Sequence, residues 1–288
     1  MEKINFYKMS GAGNDFILID KNANPAFVLN SKSIKNMCNR RNGIGADGVI
    51  TISNSNEFDF AMEYFNADGS TGSLCGNGAR CAIKFADLSG RISDGKTKFL
   101  SNGVAYSGEL LREEKIKFFF NPPKRLKYNF KISAGKQLIN SSFADTGSPH
   151  VVIRIEDVLK DPTNPASNYD DLNNFPVYEL GKEIRYHQDL QPEGANVNFI
   201  KLVDNSIHIR TYERGVENET LACGTGATAS ALIGYTIYGL KPPVKLITRG
   251  GDELLVDFEV KDQKVYNLSL TGPAKVTFTG ELTLNQYF

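Results

Sequence analysis

At 288 residues, with 41% hydrophobic and 23% charged side chains, the chain has an ordinary globular make-up and room for one large domain or two. Its 33 basic and 33 acidic residues cancel, which removes the electrostatic footprint of a nucleic-acid or anionic-membrane binder. The densest basic pairs, Arg40–Arg41 and Lys124–Arg125, are short. Residues Met1 to Tyr7 lack the apolar run of a signal peptide, and four cysteines without an export signal fit a reducing cytoplasm.

In chain order, alternating patterns predict strands at Gly13–Asp20, Asp59–Asn66, Lys115–Phe120, His150–Ile155, Ser206–Arg210, Glu253–Val260 and Val265–Leu270. A helix is predicted near Ser33–Arg40, and Asp157–Leu159 reads as the start of a short one. Two more helices follow glycine-rich turns, at Gly78–Leu88 and Gly226–Tyr238. In the first, Ala79, Ala82, Ile83 and Ala86 mark one buried face. The second is apolar or small almost all round, as for a helix enclosed by sheet, and Lys241-Pro242-Pro243 is expected to stop it. Ala222–Leu240 carries no charge, but its glycines and hydroxyls make it a buried helix rather than a membrane span.

The two halves echo one another. Asn66-Ala67-Asp68-Gly69 leads to Leu74-Cys75-Gly76-Asn77-Gly78-Ala79 and a helix; Glu213-Arg214-Gly215 leads to Ala222-Cys223-Gly224-Thr225-Gly226-Ala227 and a helix. Upstream, Gly11-Ala12 with Phe16-Ile17 recurs at the spacing of Gly194-Ala195 with Phe199-Ile200. The repeat unit is too long for a solenoid and points to a duplicated domain, with Asn121-Pro122-Pro123-Lys124 as the hinge; the alternative is one large mixed sheet with chance matches.

Each glycine turn places a cysteine immediately before a helix. The N-terminus of a helix lowers a thiol's pKa from about 8.5 towards neutrality, and its N–H groups bind an anion such as a carboxylate. A thiol poised near working pH serves as base when ionised and as acid when protonated. Two such thiols, one on each face of an α-carbon, are what cofactor-free inversion requires, and the helix amides would stabilise the charge that builds on the carboxylate. A lone buried cysteine is ordinarily a small hydrophobe, and Cys38 and Cys81 are read that way. That reading leaves the paired turns at Cys75 and Cys223 unexplained. Zinc is disfavoured because Cys-x-x-Cys is absent and His150, His187 and His208 are the only histidines. A phosphate loop is disfavoured because Gly-x-x-x-x-Gly-Lys-Ser/Thr is absent.

With these residues in hand, the chain resembles the diaminopimelate epimerase family over nearly its whole length. The motifs that carry the likeness are Lys8-Met9-Ser10-Gly11-Ala12-Gly13-Asn14-Asp15-Phe16, Gly43-Ile44-Gly45-Ala46-Asp47-Gly48 and Phe65-Asn66-Ala67-Asp68-Gly69-Ser70. Cys75-Gly76-Asn77-Gly78-Ala79-Arg80, Pro149-His150, Glu193-Gly194-Ala195-Asn196, Tyr212-Glu213-Arg214-Gly215 and the turn at Cys223 complete the series.

The resemblance implies an α+β fold of two similar, pseudo-twofold-related domains, each a β-barrel wrapped around a central helix, with the active site in the cleft between them. Residues 1–121 plus a returning strand within 273–288 (around Ala274–Tyr287) would form the first domain, and 122–272 the second. It implies catalysis by Cys75 and Cys223 without pyridoxal phosphate, metal or other cofactor, with His150 and Glu213 tuning their protonation. The amides of Gly76, Asn77, Gly224 and Thr225 would hold the α-carboxylate. Asn14, Asn66, Asn196, Glu213 and Arg214 would bind the rest of the substrate, and Arg214 suits a carboxylate for its bidentate geometry. Three positions depart from the family pattern: Ser148 replaces an asparagine common in relatives, Gly48 a glutamine seen in some, and Ser10 the usual histidine. Ser148 bears on contacts to the far end of the substrate more than on the chemistry.

The expected reaction is interconversion of LL- and meso-2,6-diaminopimelate in the cytoplasm, for lysine and cell-wall synthesis. The expected partner is a small amino acid, with neither nucleic acid nor membrane, and a homodimer is allowed. The alternatives are a racemase for histidine or a proline derivative, an isomerase of related fold that uses a carboxylate, and a non-enzymatic binding protein. The paired thiols argue against the carboxylate isomerase.

Overall fold

The computed structural model describes residues 3–25, 27–72, 75–112 and 114–283. The chain divides into two compact units, Met1–Phe119 with Thr271–Phe288, and Phe120–Leu270. The hinge expected at Asn121–Lys124 falls just inside the second unit.

The first unit contains β1 (Lys3–Gly11), β2 (Asn14–Asp20), α1 (Ser31–Cys38), β3 (Gly48–Ser53), β4 (Phe60–Asn66), α2 (Gly76–Leu88), β5 (Lys96–Ser101), β6 (Val104–Leu110) and β7 (Lys115–Phe119). Its strands pair in chain order, β1 with β2 antiparallel, β2 with β3 parallel, β3 with β4 antiparallel, β4 with β5 parallel, β5 with β6 and β6 with β7 antiparallel. The two parallel steps need crossovers, which α1 and α2 supply. Asn30 starts α1 with a reciprocal cap: its side chain accepts from the Ser33 amide and Ser33 Oγ accepts from the Asn30 amide. α2 packs against β1, β2, β3, β4, β6 and β7, so Ala79, Ala82, Ile83 and Ala86 are fully buried. Phe60 of β4 and Phe99 of β5 stack at 4.8 Å between ring centroids.

The second unit follows the same plan. Its strands and helices are β8 (Leu126–Ala134), β9 (Gln137–Asp145), β10 (Pro149–Arg154), α3 (Val177–Arg185), β11 (Asn196–Val203), β12 (Ser206–Glu213), β13 (Asn218–Thr220), α4 (Gly224–Tyr238), β14 (Val244–Ile247), β15 (Glu253–Lys261) and β16 (Lys264–Pro273), the last running past the unit boundary at Leu270. From β9 the pairings are antiparallel to β10, parallel to β11, antiparallel to β12, parallel to β14 and antiparallel to β15. That is the order of senses found from β1 to β6, with α3 in the place of α1 and α4 in the place of α2. The last strand among the described residues, β17 (Lys275–Thr283), pairs antiparallel with β1; the part of the returning strand expected at 284–287 lies outside the described residues.

α4 packs against β9, β10, β11, β12, β14 and β15. Every residue from Gly224 to Gly234 is buried, which accounts for its lack of a polar face. Among the described residues no helix is long and apolar enough to cross a membrane.

Four expectations change. Phe16-Ile17 lies in β2 but Phe199-Ile200 in β11, the counterpart of β3, so the upstream match between the halves is a coincidence of spacing. Asp157–Leu159 starts no α-helix: a 3₁₀ turn covers Ile155–Asp157, and Leu159 bridges to Asn168. α3 was not foreseen, although Val177, Leu180, Gly181 and Ile184 form its buried face. α4 ends at Tyr238 as expected, but the stop is Gly239 in the left-handed conformation (φ 71°), where the Leu240 amide bonds back to the Gly234 carbonyl at 3.2 Å, rather than the prolines.

Candidate active site

In both units a cysteine is the N-cap of the helix enclosed by the sheet. Cys75 (φ −102°, ψ 118°) precedes α2 and Cys223 (φ −126°, ψ 112°) precedes α4. Each carbonyl accepts the first helical hydrogen bond at 2.8 Å, from Ala79 and Ala227 respectively. Both helices therefore begin two residues earlier than the glycine pattern alone suggests, at Gly76 and Gly224. The first amides, of Gly76 and Asn77 and of Gly224 and Thr225, belong to the turn whose N–H groups point out of the helix end.

In the first unit, Cys75 is half-buried and its Sγ lies 3.5 Å from Asn14 Oδ1. Asn14 heads β2 directly after a two-residue turn, Ala12-Gly13, in which both φ values are positive (60° and 85°). Ser10 Oγ accepts from the Gly13 amide inside that turn at 3.2 Å, which gives the departing serine a structural use. Asn14 Nδ2 donates to Asp47 Oδ2 at 2.5 Å. Asp47 is locked in turn: its Oδ2 accepts from the Asp15 amide at 3.1 Å and its Oδ1 from Arg40 Nη2 at 2.7 Å. Arg40 also holds Asp15 with two bonds of 2.7 and 3.0 Å, and Lys8 pairs with Asp15 at 2.7 Å and donates to the Gly45 carbonyl.

Burial alone would raise the pKa of Asp15, but hydrogen bonds and charge from Arg40 and Lys8 bring it down to about 2. Asp47 is raised, first by burial and then by the Asp15 charge. Arg40, one of the short basic pair Arg40–Arg41, is thus tied into a carboxylate cluster behind Asn14.

In the second unit, Cys223 is 8% exposed and its Sγ lies 3.4 Å from Thr225 Oγ1. Thr225 Oγ1 accepts from Ser148 Oγ at 3.2 Å, and Ser148 Oγ lies 3.0 Å from His150 Nε2. Asn198 Nδ2 stands 3.1 Å from His150 Nδ1 and donates to the Val151 carbonyl at 3.0 Å, while Asn198 Oδ1 accepts from Thr211 Oγ1 at 3.0 Å. His150 is wholly buried. Burial foremost, and then the charge of Arg214, push its pKa down to about 3 against the opposing Asn198 contact, so the imidazole is neutral.

The remaining predicted residues are placed as follows. Asn66 closes β4 and turns its amide nitrogen to Ser70 Oγ at 3.0 Å, within a turn where Asp68 Oδ1 also accepts from Ser70. Asn196 is buried, donating to the Pro149 carbonyl at 3.0 Å and accepting from the Arg214 amide at 2.8 Å, so it ties β10 to the chain after β12. Arg214 donates to the Glu193 carbonyl at 3.1 Å. Glu213 ends β12 with Oε2 buried. Gly48 has no room for a larger residue: a Cβ there would lie 2.5 Å from the Phe65 carbonyl oxygen and 2.6 Å from the Tyr64 ring. Cys38 and Cys81 are buried, and burial foremost, joined by the Asp15 and Asp47 charges at Cys38 and by Cys75 at Cys81, raises both thiols to about 12. Among the described residues no group of three His, Cys, Asp or Glu side chains is gathered as a metal site.

Sequence reasoning missed Asp47, Asn198 and the hydroxyls of Thr225 and Ser148 as partners of the site. Asn198 carried a signal: it is a polar residue in the middle of an otherwise apolar strand run, Val197 to Ile200, where burial demands a partner.

The sequence pattern described as diaminopimelate epimerase matches residues 6–115 and 142–277. The diaminopimelate epimerase of Chlorobaculum tepidum is 39% identical over 279 residues, covering 96% of this chain and all of the relative. That of Aquifex aeolicus is 38% identical over 291 residues, covering 96% and 97%. Among solved structures, a PhzF-family phenazine biosynthesis protein of Bacillus anthracis shares the fold with a TM-score of 0.73 at 14% identity, covering 99% of this chain and 100% of the other. A hydroxyproline epimerase of Agrobacterium vitis does so with a TM-score of 0.71 at 13% identity, covering 98% and 93%.

Proposed function

The chain belongs to the diaminopimelate epimerase family, and we propose on that footing that it interconverts LL- and meso-2,6-diaminopimelate by moving the α-proton between Cys75 and Cys223. The observation that carries the chemistry is the matched pair of cysteines capping α2 and α4, each beside the amide-rich end of a buried helix. In this reading one sulfur, as thiolate, takes the α-proton. The electron pair left on carbon is delocalised into the α-carboxylate, and the other sulfur, as thiol, gives its proton to the opposite face. One turnover leaves the two protonation states exchanged, and the reverse reaction uses the same groups in swapped roles.

The amides of Gly76, Asn77, Gly224 and Thr225 would hold the carboxylate as negative charge grows on it, a contribution of about 10²–10³-fold per well-placed donor. Asn14 and Asn66, with Asn196, Glu213 and Arg214, are the groups proposed for the rest of the substrate. Product would feed lysine and cell-wall precursor synthesis, and the reaction would run in the cytoplasm.

The test is α-deuterium incorporation from D₂O into LL-diaminopimelate, followed by NMR without added cofactor. Exchange with formation of the meso isomer is expected in the wild type, falling about 10³-fold or more in Cys75→Ala and in Cys223→Ala. Exchange that survives either substitution would overturn the two-thiol reading. Exchange on histidine or 4-hydroxyproline, but not on diaminopimelate, would overturn the substrate assignment.

A further inference from the structure

We propose, building on the two-thiol reading above, that the free enzyme holds Cys75 as the thiol and Cys223 as the thiolate, and that Asp47 and Asn14 on one side, and Asn198, His150, Ser148 and Thr225 on the other, are the positioning residues that set those states.

The two hydrogen-bond chains run in opposite directions. At Cys75 the chain ends on an acceptor. Both oxygens of Asp47 receive N–H groups, Oδ2 from the Asp15 amide and Oδ1 from Arg40, so Asp47 can only accept. Asn14 must therefore present its nitrogen to Asp47, which leaves its oxygen towards Cys75 at 3.5 Å. An amide oxygen offers no proton, so the sulfur supplies one: this contact favours S–H.

At Cys223 the chain ends on a donor. The Asn198 amide is oriented by the Val151 carbonyl, which needs an N–H, and by Thr211 Oγ1, which donates to Asn198 Oδ1. Asn198 thus donates to His150 Nδ1. The imidazole is neutral and its single proton sits on Nε2, facing Ser148 Oγ at 3.0 Å. Ser148, having accepted, donates to Thr225 Oγ1. The one proton of Thr225 is then directed to Cys223 Sγ at 3.4 Å. A hydroxyl donor at a helix N-terminus stabilises S⁻.

The matched turns differ at the residue two places after each cysteine, Asn77 in one and Thr225 in the other. Thr225 reaches back to Cys223, and Asn77 Oδ1 accepts from Arg80 Nη2 at 3.0 Å. Arg80 is wholly buried and also donates to the Gly76 carbonyl at 3.3 Å. The second helix has Thr228 in that position, bonding to the Gly224 carbonyl at 2.9 Å.

The charged groups around the two chains are Lys8, Asp15, Arg40 and Asp47 behind Asn14 and Arg80 within α2 on the Cys75 side. On the Cys223 side they are Arg214, whose charge acts on His150, and Glu213 beside it at the end of β12. In this arrangement Cys223 S⁻ takes the α-proton first, and the carbon electron pair takes the Cys75 proton on the opposite face.

The test is a pH titration of ultraviolet thiolate absorbance, without substrate, in wild type, Cys75→Ala, Cys223→Ala, Thr225→Val and Thr225→Ser. Cys38 and Cys81, at about 12, are silent across neutral pH. The lower of the two thiolate steps should persist in Cys75→Ala and vanish in Cys223→Ala. Thr225→Val should raise it by about one pH unit, a tenfold loss of thiolate at a given pH, and Thr225→Ser, which keeps the hydroxyl, should restore it. A lower step that vanishes in Cys75→Ala instead, or one that Thr225→Val leaves in place, overturns the assignment. The deuterium assay separates this outcome from failure of the functional reading. Exchange alongside a Cys75 thiolate keeps the two-thiol mechanism and rejects this polarity. A low step on Cys223 without exchange on diaminopimelate keeps the polarity and rejects the substrate.

Discussion

Gly226 faces Asn198 so closely that a Cβ on the glycine would lie 2.3 Å from Asn198 Oδ1 and 3.3 Å from Cys223 Cβ. The glycine lets the first turn of α4 lie directly against the amide that orients His150. Gly78 is the matching residue of α2, and there a Cβ would meet the tip of the Ile50 side chain at 3.0 Å. A flexible methyl can move aside, whereas the Asn198 amide is held by three hydrogen bonds, two at Nδ2 and one at Oδ1. Gly226→Ala should therefore destabilise the protein by about 1–3 kcal/mol, as overpacking does, and should depress deuterium exchange. Gly78→Ala should cost less in both. Thermal melts of the two variants, read beside their exchange rates, check the contrast; equal effects would show that Asn198 is free to shift.

Burial of neutral His150 has a thermodynamic signature. Its pKa is 6.5 when exposed and about 3 in the fold, so between those values the unfolded chain binds a proton that the native state refuses. Stability from this group is fully present above pH 6.5 and drains away as pH falls towards 3. The wild-type unfolding free energy should fall with acidification by up to about 1.4 kcal/mol per pH unit more steeply than that of His150→Gln, which cannot titrate. Urea unfolding at a series of pH values gives both slopes. Parallel slopes would mean that His150 accepts a proton within the fold.

The parts of the molecule legible in the sequence are those whose cause is local. A Gly-x-Gly after a cysteine announces a helix N-terminus by itself, and α2 and α4 lie where those turns put them. The duplication was legible for the same reason, but only at the turns. Matching Phe16-Ile17 to Phe199-Ile200 failed because which strand a residue occupies depends on pairing, and β2 corresponds to β10. α3 carries an apolar face but follows Pro176 and a run rich in Asn and Asp, which disguised its start. The hydrogen-bond chains were least legible. Asn14 meets Asp47 across 33 residues and Asn198 meets His150 across 48, contacts that parallel pairing of β2 with β3 and of β10 with β11 creates. No spacing rule in one sequence encodes them.

Cys38 and Cys81 offer a control within the same protein. Both are buried, at 5% and 0% exposure, and both thiols sit near pKa 12, so neither ionises at working pH. Cys38→Ala and Cys81→Ala should lose about 1–2 kcal/mol of stability through the small cavities they leave and should keep wild-type exchange rates. Alkylation mapped by mass spectrometry under native conditions should modify Cys75 and Cys223 and spare these two. A tenfold loss of exchange in either variant would demand a role for that sulfur beyond packing.

Asp47 touches neither sulfur, yet it decides which atom Asn14 shows to Cys75. In Asp47→Asn the substituted side chain has a single acceptor oxygen where three donors, from Asn14, Asp15 and Arg40, now converge on two. If that oxygen serves Arg40, Asn14 is driven to flip and to present N–H groups to the thiol; if it serves Asn14, the new amide faces a guanidinium. Either way the orientation of Asn14 is no longer enforced. The fold should survive, because Asp15 keeps its own bonds to Arg40 and Lys8 and Arg40 is largely exposed. Misplacement of a group beside the reacting sulfur can cost about 10²-fold, so kcat for α-proton exchange should fall by about 10–100-fold. The ultraviolet thiolate step assigned to Cys75 should move to lower pH, because an N–H facing sulfur favours S⁻. A variant with reduced kcat but an unmoved Cys75 step would mean that Asp47 serves only to hold the loop. A variant with wild-type kcat and an unmoved step would remove Asp47 and Asn14 from the mechanism altogether.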